Sequence, residues 1–406
     1  MSGRVPSSSN ESSLLPEEDF ASPHSSADEE YDSDEPPELN LNFQELKECA
    51  STVASARCIN IRKLTRGRYH EIFLLDFEPG SETKVEVARA QHSCIARLTR
   101  GDESLAKATS ELATMRYVKD HTSIPVATIL HQDLRSDNPV GAPFVLMERL
   151  RGRHLYKLWD GLSLDHKKDV LTQIASVLTR LAALHFDGIG SLQDDGLGPL
   201  VHPSLPRQEE KPFQSTLDYL SAFAREDTVE DPKHKDLYQQ VRQELEKYFS
   251  SKSDASYLKS PFRLIHGDFD AQNLLFTKVS DTPDNAPVLS GVIDFEYSYA
   301  GPLYYLYEYP IFIQDVDFSP ELYEDNAILR PHFVRALQQS FPEGSPEAIA
   351  ARDVMHEKNF ILNDFPRLIT LMANDSSEIG YFLQNLRNGT GLAYSGRQDY
   401  VPDPEQ

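Results

Sequence analysis

The stretch Leu264 to Phe276, LIHGDFDAQNLLF, restricts the fold of this chain more than any other. Apolar Phe262, Leu264 and Ile265 lead into His266-Gly267-Asp268, Asn273 follows five residues after that aspartate, and Leu274, Leu275 and Phe276 make a second apolar run. An acid and an amide therefore sit on a loop between two strands. A third apolar run, Val288 to Ile293, ends at Asp294, and Lys278 to Pro287 in between carries the Pro, Asn and Asp punctuation of a turn. Residues 273–276 and 288–293 read as the arms of a hairpin. In an antiparallel pair the start of one strand faces the end of the next, so Asn273 and Asp294 are expected at one end, beside Asp268. A carboxylate accepts a proton or a hard cation, and an Asn carbonyl is a neutral oxygen ligand for such a cation. The set suits Mg²⁺-assisted group transfer.

This combination of HGD, the five-residue step to Asn and a second strand ending in Ile293-Asp294 resembles the catalytic half of the aminoglycoside phosphotransferase and choline kinase group. The resemblance continues through TSIPV at 122–126 and DNPVGAPFVLMERLRG at 137–152, where the chain is similar to fungal-type members. It implies an α+β, two-lobed protein-kinase-like fold. A small lobe of antiparallel strands with one helix would span about residues 45 to 150, and a larger, mainly helical lobe about 151 to 390. It also implies roles. Asp268 would be the catalytic base that orients an acceptor hydroxyl, with His266 in support, and Asn273 and Asp294 would hold the Mg²⁺ that bridges the phosphates of ATP.

Upstream, the resemblance makes Arg66 to His70 the nucleotide-covering turn, with Gly67 its single glycine; an ordinary hairpin accounts for the same residues equally well. Strand 93–98 offers Arg97 where protein kinases place a phosphate-contacting lysine, and Arg89 is a rival. Arg97 is preferred because the helix that follows, 105–118, carries Glu111, and the family pairs this cation with a helix glutamate. Met147, Glu148 and Leu150 fall at the hinge, whose backbone N–H and C=O groups would hold adenine, although Met147 fits as core filler too. Tyr304, Tyr305 and Leu306 stand where many relatives place a further aspartate. Glu296 reads as an exposed charge rather than a supplementary metal ligand.

The formal charge of −24 argues against nucleic acid or an anionic membrane as partner, since both need a basic footprint. Much of that charge is local. Residues 1 to 40 hold eleven Asp and Glu against Arg4 alone and are rich in Ser, so they read as a disordered acidic tail. That tail offers Ser26 or Ser33 for phosphorylation and a surface for protein contacts, with a solvated spacer the simpler account. Residues 391 to 406 read as a second tail. No apolar run approaches the roughly 20 residues of a spanning helix. The N-terminus lacks the order of a secretory or transit signal, and three cysteines show neither disulfide nor metal spacing. A cytoplasmic protein is expected.

Helical patterns cover 41–59, 165–186, 212–223, 236–249 and parts of 323–388, and in the resembled group the last of these line the acceptor pocket. Asp315, Asp317 and Asp364 are acids there that could meet a cationic acceptor. The expected activity is ATP- and Mg²⁺-dependent transfer of the γ-phosphoryl group to a hydroxyl of an unidentified small molecule. The alternative is a kinase-like nucleotide-binding scaffold with weak or no activity. A protein kinase fits less well, because HGD lacks the arginine of an HRD loop and no Phe-Gly follows Asp294.

Overall fold

Asn42 ends the extended N-terminal segment and starts α1 (Phe43–Ala54), because its side-chain oxygen accepts from the N–H groups of Gln44 and Glu45. The computed structural model describes residues 38–67, 69–80, 82–100, 104–225, 227, 232–277, 285–314, 323–355, 360–363, 365 and 376–388. Most of the acidic tail with Ser26 and Ser33, residues 278–284 of the hairpin turn, Asp315, Asp317, Asp364 and residues 391–406 lie outside these.

Helix α1 stops well before the expected Ile59. Ser55 takes a left-handed conformation, the N–H of Ala56 closes on the carbonyl of Ser51, and Cys58 is drawn to the Ser51 hydroxyl at 2.9 Å. Cys58 and Ile59 thereby open β1 (Cys58–Arg66). Strands β2 (His70–Phe77) and β3 (Ser93–Thr99) follow, with the short α2 (Val85–Arg89) between them, then α3 (Leu105–His121), β4 (Ile129–Asp133) and β5 (Phe144–Glu148). The five strands form one antiparallel sheet in the order β1-β2-β3-β5-β4. Leu46, Ala50 and Ala54 of α1 pack on Phe73, Leu75 and Phe77 to make the small-lobe core. Helix α3 belongs elsewhere: Leu112, Met115 and Val118 join the core of the large lobe, so this helix spans the junction.

The segment before α1 is also tied down. Leu39 N–H donates to the buried carboxylate of Glu71 at 2.9 Å, Lys63 bridges Glu38 and Glu71 at 2.8 and 3.0 Å, and Asn42 N–H reaches the Val140 carbonyl.

In the large lobe β6 (Arg153–His154) precedes α4 (Leu164–Ala182), whose stripe Val170, Ile174, Val177, Leu178 and Leu181 is buried. Each such side chain contributes roughly 1.5–3 kcal/mol. The helix does not run on to Phe186 as its pattern predicts. His185 and Phe186 instead form β7, paired with Arg263 and Phe262, so a strand partner takes up the backbone groups there. A small hairpin of β8 (Leu192–Gln193) and β9 (Gly196–Leu197), then α5 (Thr216–Ser221) and α6 (Pro232–Ser251), lead to the site strands. These are β10 (Phe262–Ile265), β11 (Leu274–Thr277), β12 (Val288–Val292) and β13 (Tyr299–Gly301). Strand β10 lies between β13 and β7, and β11 between β12 and β6. Among the described residues, helices α7 (Tyr323–Gln339), α8 (Pro346–Val354) and α9 (Ser376–Asn388) follow in the lobe. The result is the expected two-lobed, protein-kinase-like α+β fold. Among the described residues, no helix is long and apolar enough to cross a membrane.

Candidate active site

Strand β10 delivers the HGD loop, and a backbone contact fixes where it lies. Gly267 has φ +84°, and a Cβ there would stand 2.7 Å from the Tyr297 carbonyl oxygen and 2.9 Å from that of Glu296. Only glycine lets the loop rest on the chain after Asp294. Gly67 differs, since an added Cβ would meet only the His70 carbonyl at an ordinary 3.5 Å. Gly267→Ala is therefore expected to lose at least about 2 kcal/mol in urea unfolding, whereas Gly67→Ala stays within about 0.5 kcal/mol. Equal effects would refute the contact argument.

His266 fastens the two loops together. Its ring Nε2 lies 3.1 Å from the Ile293 carbonyl, its own carbonyl accepts from Ser298 Oγ at 2.6 Å, and Phe269 and Phe295 flank the ring. Burial pushes its pKa down to about 4, so the ring is neutral and Nε2 is the donor to Ile293. Asp268 itself is exposed. Asn273 Nδ2 donates to Asp268 Oδ2 at 2.8 Å and to its carbonyl at 2.9 Å, and Gln272 adds a contact at 3.3 Å.

Hairpin β11–β12 has the register Leu274 to Val292 and Thr277 to Val288, and Ile293 N–H closes its end on the Asn273 carbonyl at 3.0 Å. Asp294 follows at φ +63°, a conformation Asp tolerates better than most residues. Its Oδ1 is buried with no hydrogen-bond partner. Burial pushes this carboxyl up to about 6, with Glu111 and Glu296 adding to the shift and Arg97 opposing it. Among the described residues no three His, Cys, Asp or Glu side chains gather as a metal cage. The donor set is one carboxylate with an orphaned oxygen and one amide. That fits Mg²⁺, which takes one or two protein oxygens and fills the rest of its shell with phosphate and water.

Arg97 rather than Arg89 meets Glu111. Its Nη1 donates to Glu111 Oε1 at 2.6 Å and Nη2 to Oε2, while Arg89 is exposed on α2. Burial works against the guanidinium charge, but Glu111, Asp294 and Glu296 outweigh it and hold the pKa above the usual arginine range. At the hinge, Met147 is half-buried against the large-lobe core, and Leu150 Cδ1 covers Gly291. Glu148 departs from expectation: its N–H is taken by the Thr128 carbonyl at 2.8 Å, and its side chain accepts from Thr128 N–H and Oγ1. That amide serves the sheet.

The largest correction concerns Glu296, which is no exposed charge. It is 12 % exposed and meets His70 Nε2 and Lys107 Nζ, each at 2.6 Å. Burial opposes its ionisation, yet these two partners bring its pKa down to about 2. Sequence reasoning missed Lys107, although its place four residues before Glu111 on one helix face was a usable signal. Tyr304 is fully buried, with its ring against those of Tyr305 and Phe360.

A family described as phosphotransferase enzyme family matches residues 77–305. A subtelomeric hrmA-associated cluster protein of Aspergillus fumigatus is 33% identical over 137 residues, 33% of this chain and 25% of that protein. The protein named altered inheritance of mitochondria protein 9, mitochondrial, of Zygosaccharomyces rouxii is 28% identical over 144 residues, 34% of this chain and 22% of its own length. The matches thus span about a quarter of these curated relatives. Among solved structures, the aminoglycoside phosphotransferase APH(4)-Ia in ternary complex with AMP-PNP and hygromycin B aligns at 17% identity and a TM-score of 0.47, covering 85% of this chain and 97% of that one.

Proposed function

As the chain belongs to the phosphotransferase enzyme family, we propose that it transfers the γ-phosphoryl group of ATP to a hydroxyl of a small molecule. The observation that carries this reading is the meeting of Asp268, Asn273 and Asp294 at the open end of one hairpin. Asp268, exposed and aimed by Asn273, orients the acceptor hydroxyl and takes its proton as the phosphoryl group is transferred. Asn273 and Asp294 are the residues that would hold Mg²⁺, which when bound neutralises charge on the phosphates. Arg97, kept in place by Glu111, offers its remaining N–H donors to phosphate oxygens. The Gly67 turn covers the phosphates, Met147 and Leu150 line the base slot, and His266 holds the two loops in register. Because these groups position and stabilise rather than react covalently, they form a nearly complete set for phosphoryl transfer.

Incubating the protein with Mg-ATP and a metabolite extract tests this, with ADP release and phosphorylated small molecules read by mass spectrometry. A new phosphate ester is the expected result. Nucleotide binding without any such product would favour a scaffold. A cytoplasmic location is part of the proposal, and cell fractionation decides between it and the mitochondrial location in the name of the Zygosaccharomyces rouxii relative.

A further inference from the structure

Lys107 and Glu296 lie at the boundary of the two lobes and have no part in the transfer step described above. Lys107 Nζ sits 2.6 Å from Glu296 Oε2, 4.8 Å from the Tyr69 ring centre and 4.7 Å from that of Tyr297. His70 Nε2 takes the other Glu296 oxygen at 2.6 Å. Three separate pieces of chain meet here: the β1–β2 turn through Tyr69 and His70, helix α3 through Lys107, and the loop after Asp294 through Glu296 and Tyr297. Elsewhere the turn is held within its own lobe, by Arg100 N–H on the Tyr69 carbonyl and Arg100 Nε on the Gly67 carbonyl.

Burial decides whether this cluster matters. An exposed ion pair contributes little, but the Lys107 and Glu296 side chains are 6 % and 12 % exposed, where breaking a pair is strongly felt. The cluster also touches each element of the site. One helical turn after Lys107, Glu111 holds Arg97; two residues before Glu296 stands Asp294; and the Glu296 and Tyr297 carbonyls are the surface on which Gly267 rests. Helix α3 thus offers a cation to the metal-side loop and an anion to the phosphate-side strand from neighbouring positions on one face.

We propose that His70, Lys107 and Glu296, with Tyr69 and Tyr297, form an interlobe clasp that holds the β1–β2 turn down over the phosphate end of the nucleotide. Lys107 and Glu296 are then positioning residues: they act on nucleotide retention through the turn and touch neither the acceptor nor the reacting atoms. This rests on the reading of the site as a nucleotide site.

The test uses Lys107→Met, Glu296→Gln and His70→Phe, with Mg-ATP affinity by calorimetry, steady-state kinetics, and hydrogen exchange of the amides of residues 66–71. Each variant is expected to weaken Mg-ATP binding and raise its KM roughly tenfold, with kcat at saturation and the acceptor KM within about threefold of wild type. Exchange at 66–71 rises at least tenfold, and Lys107→Arg recovers much of the loss. Unchanged affinity and exchange in variants with a wild-type unfolding midpoint overturn the clasp. If Lys107→Met does not fold, His70→Phe gives the same readings from the turn side. Should the wild type bind no nucleotide, the proposed function falls, and exchange alone decides: faster in the variants supports the clasp, unchanged overturns it.

Discussion

Replacing Asp268 with Asn is expected to lower turnover by roughly 10²–10⁴-fold, while Mg-ATP affinity changes by less than about threefold. The substitution is close to isosteric, and the loop keeps its main support. Asn273 Nδ2 still finds the backbone carbonyl of residue 268, and a side-chain carbonyl at 268 accepts from it as the carboxylate does. What disappears is the oxygen proposed to take the hydroxyl proton. Because Asp268 is exposed and outside the clasp, the change should not spread to the nucleotide. Steady-state assays with product identified by mass spectrometry, beside calorimetry with Mg-ATP, separate the two quantities. Turnover within tenfold of wild type would remove Asp268 from its role.

Asp294→Asn is expected to act with opposite signs in two measurements. The Asp294 carboxyl is largely buried, one oxygen lacks a partner, and Glu111 and Glu296 repel its charge. Removing that charge should stabilise the ligand-free protein by roughly 1–3 kcal/mol in urea unfolding. The same change removes the only charged member of the proposed metal pair, so on that proposal Mg-ATP affinity should fall at least about tenfold and turnover about a thousandfold. Stabilisation by added Mg-ATP should vanish with it. Asn adopts the left-handed backbone as readily as Asp, so strain does not cloud the comparison. A less stable variant would sink the charge argument, and an intact Mg-ATP response would sink the ligand assignment.

What could be seen in the sequence follows from how far apart the deciding residues lie. The end of the hairpin was legible because Asn273, Ile293 and Asp294 are tied by strand register, a local rule. The Arg97 and Glu111 pair was within reach through the resemblance, which pairs the strand cation with a glutamate of the next helix, and the two side chains do meet. Helix α4 was overextended at Phe186 because its apolar period continues there, while the competing partner, β10, lies far downstream. The Glu148 amide was assigned to a ligand because its pairing with Thr128 depends on how β4 meets β5. Glu296 was misread for the same reason on a larger scale: its partner His70 is 226 residues away, and no periodicity reports such a contact. Local geometry was written in the pattern, and contacts between lobes were not.

The anchoring of residues 38–42 bears on where the small lobe can be cut. Helix α1 offers a natural-looking starting point at Phe43, and a protein shortened to it would keep every regular element of the lobe. It would also lose the Leu39 amide that holds Glu71 and the Glu38 carboxylate that meets Lys63. Glu71 then keeps Lys63 and Arg100, and Arg100 is the residue that grips the β1–β2 turn. Glu38, in a segment with no secondary structure, thus stands four polar contacts from the β1–β2 turn, through Lys63, Glu71 and Arg100 to the Gly67 carbonyl, and a truncation that removes it is expected to loosen that turn.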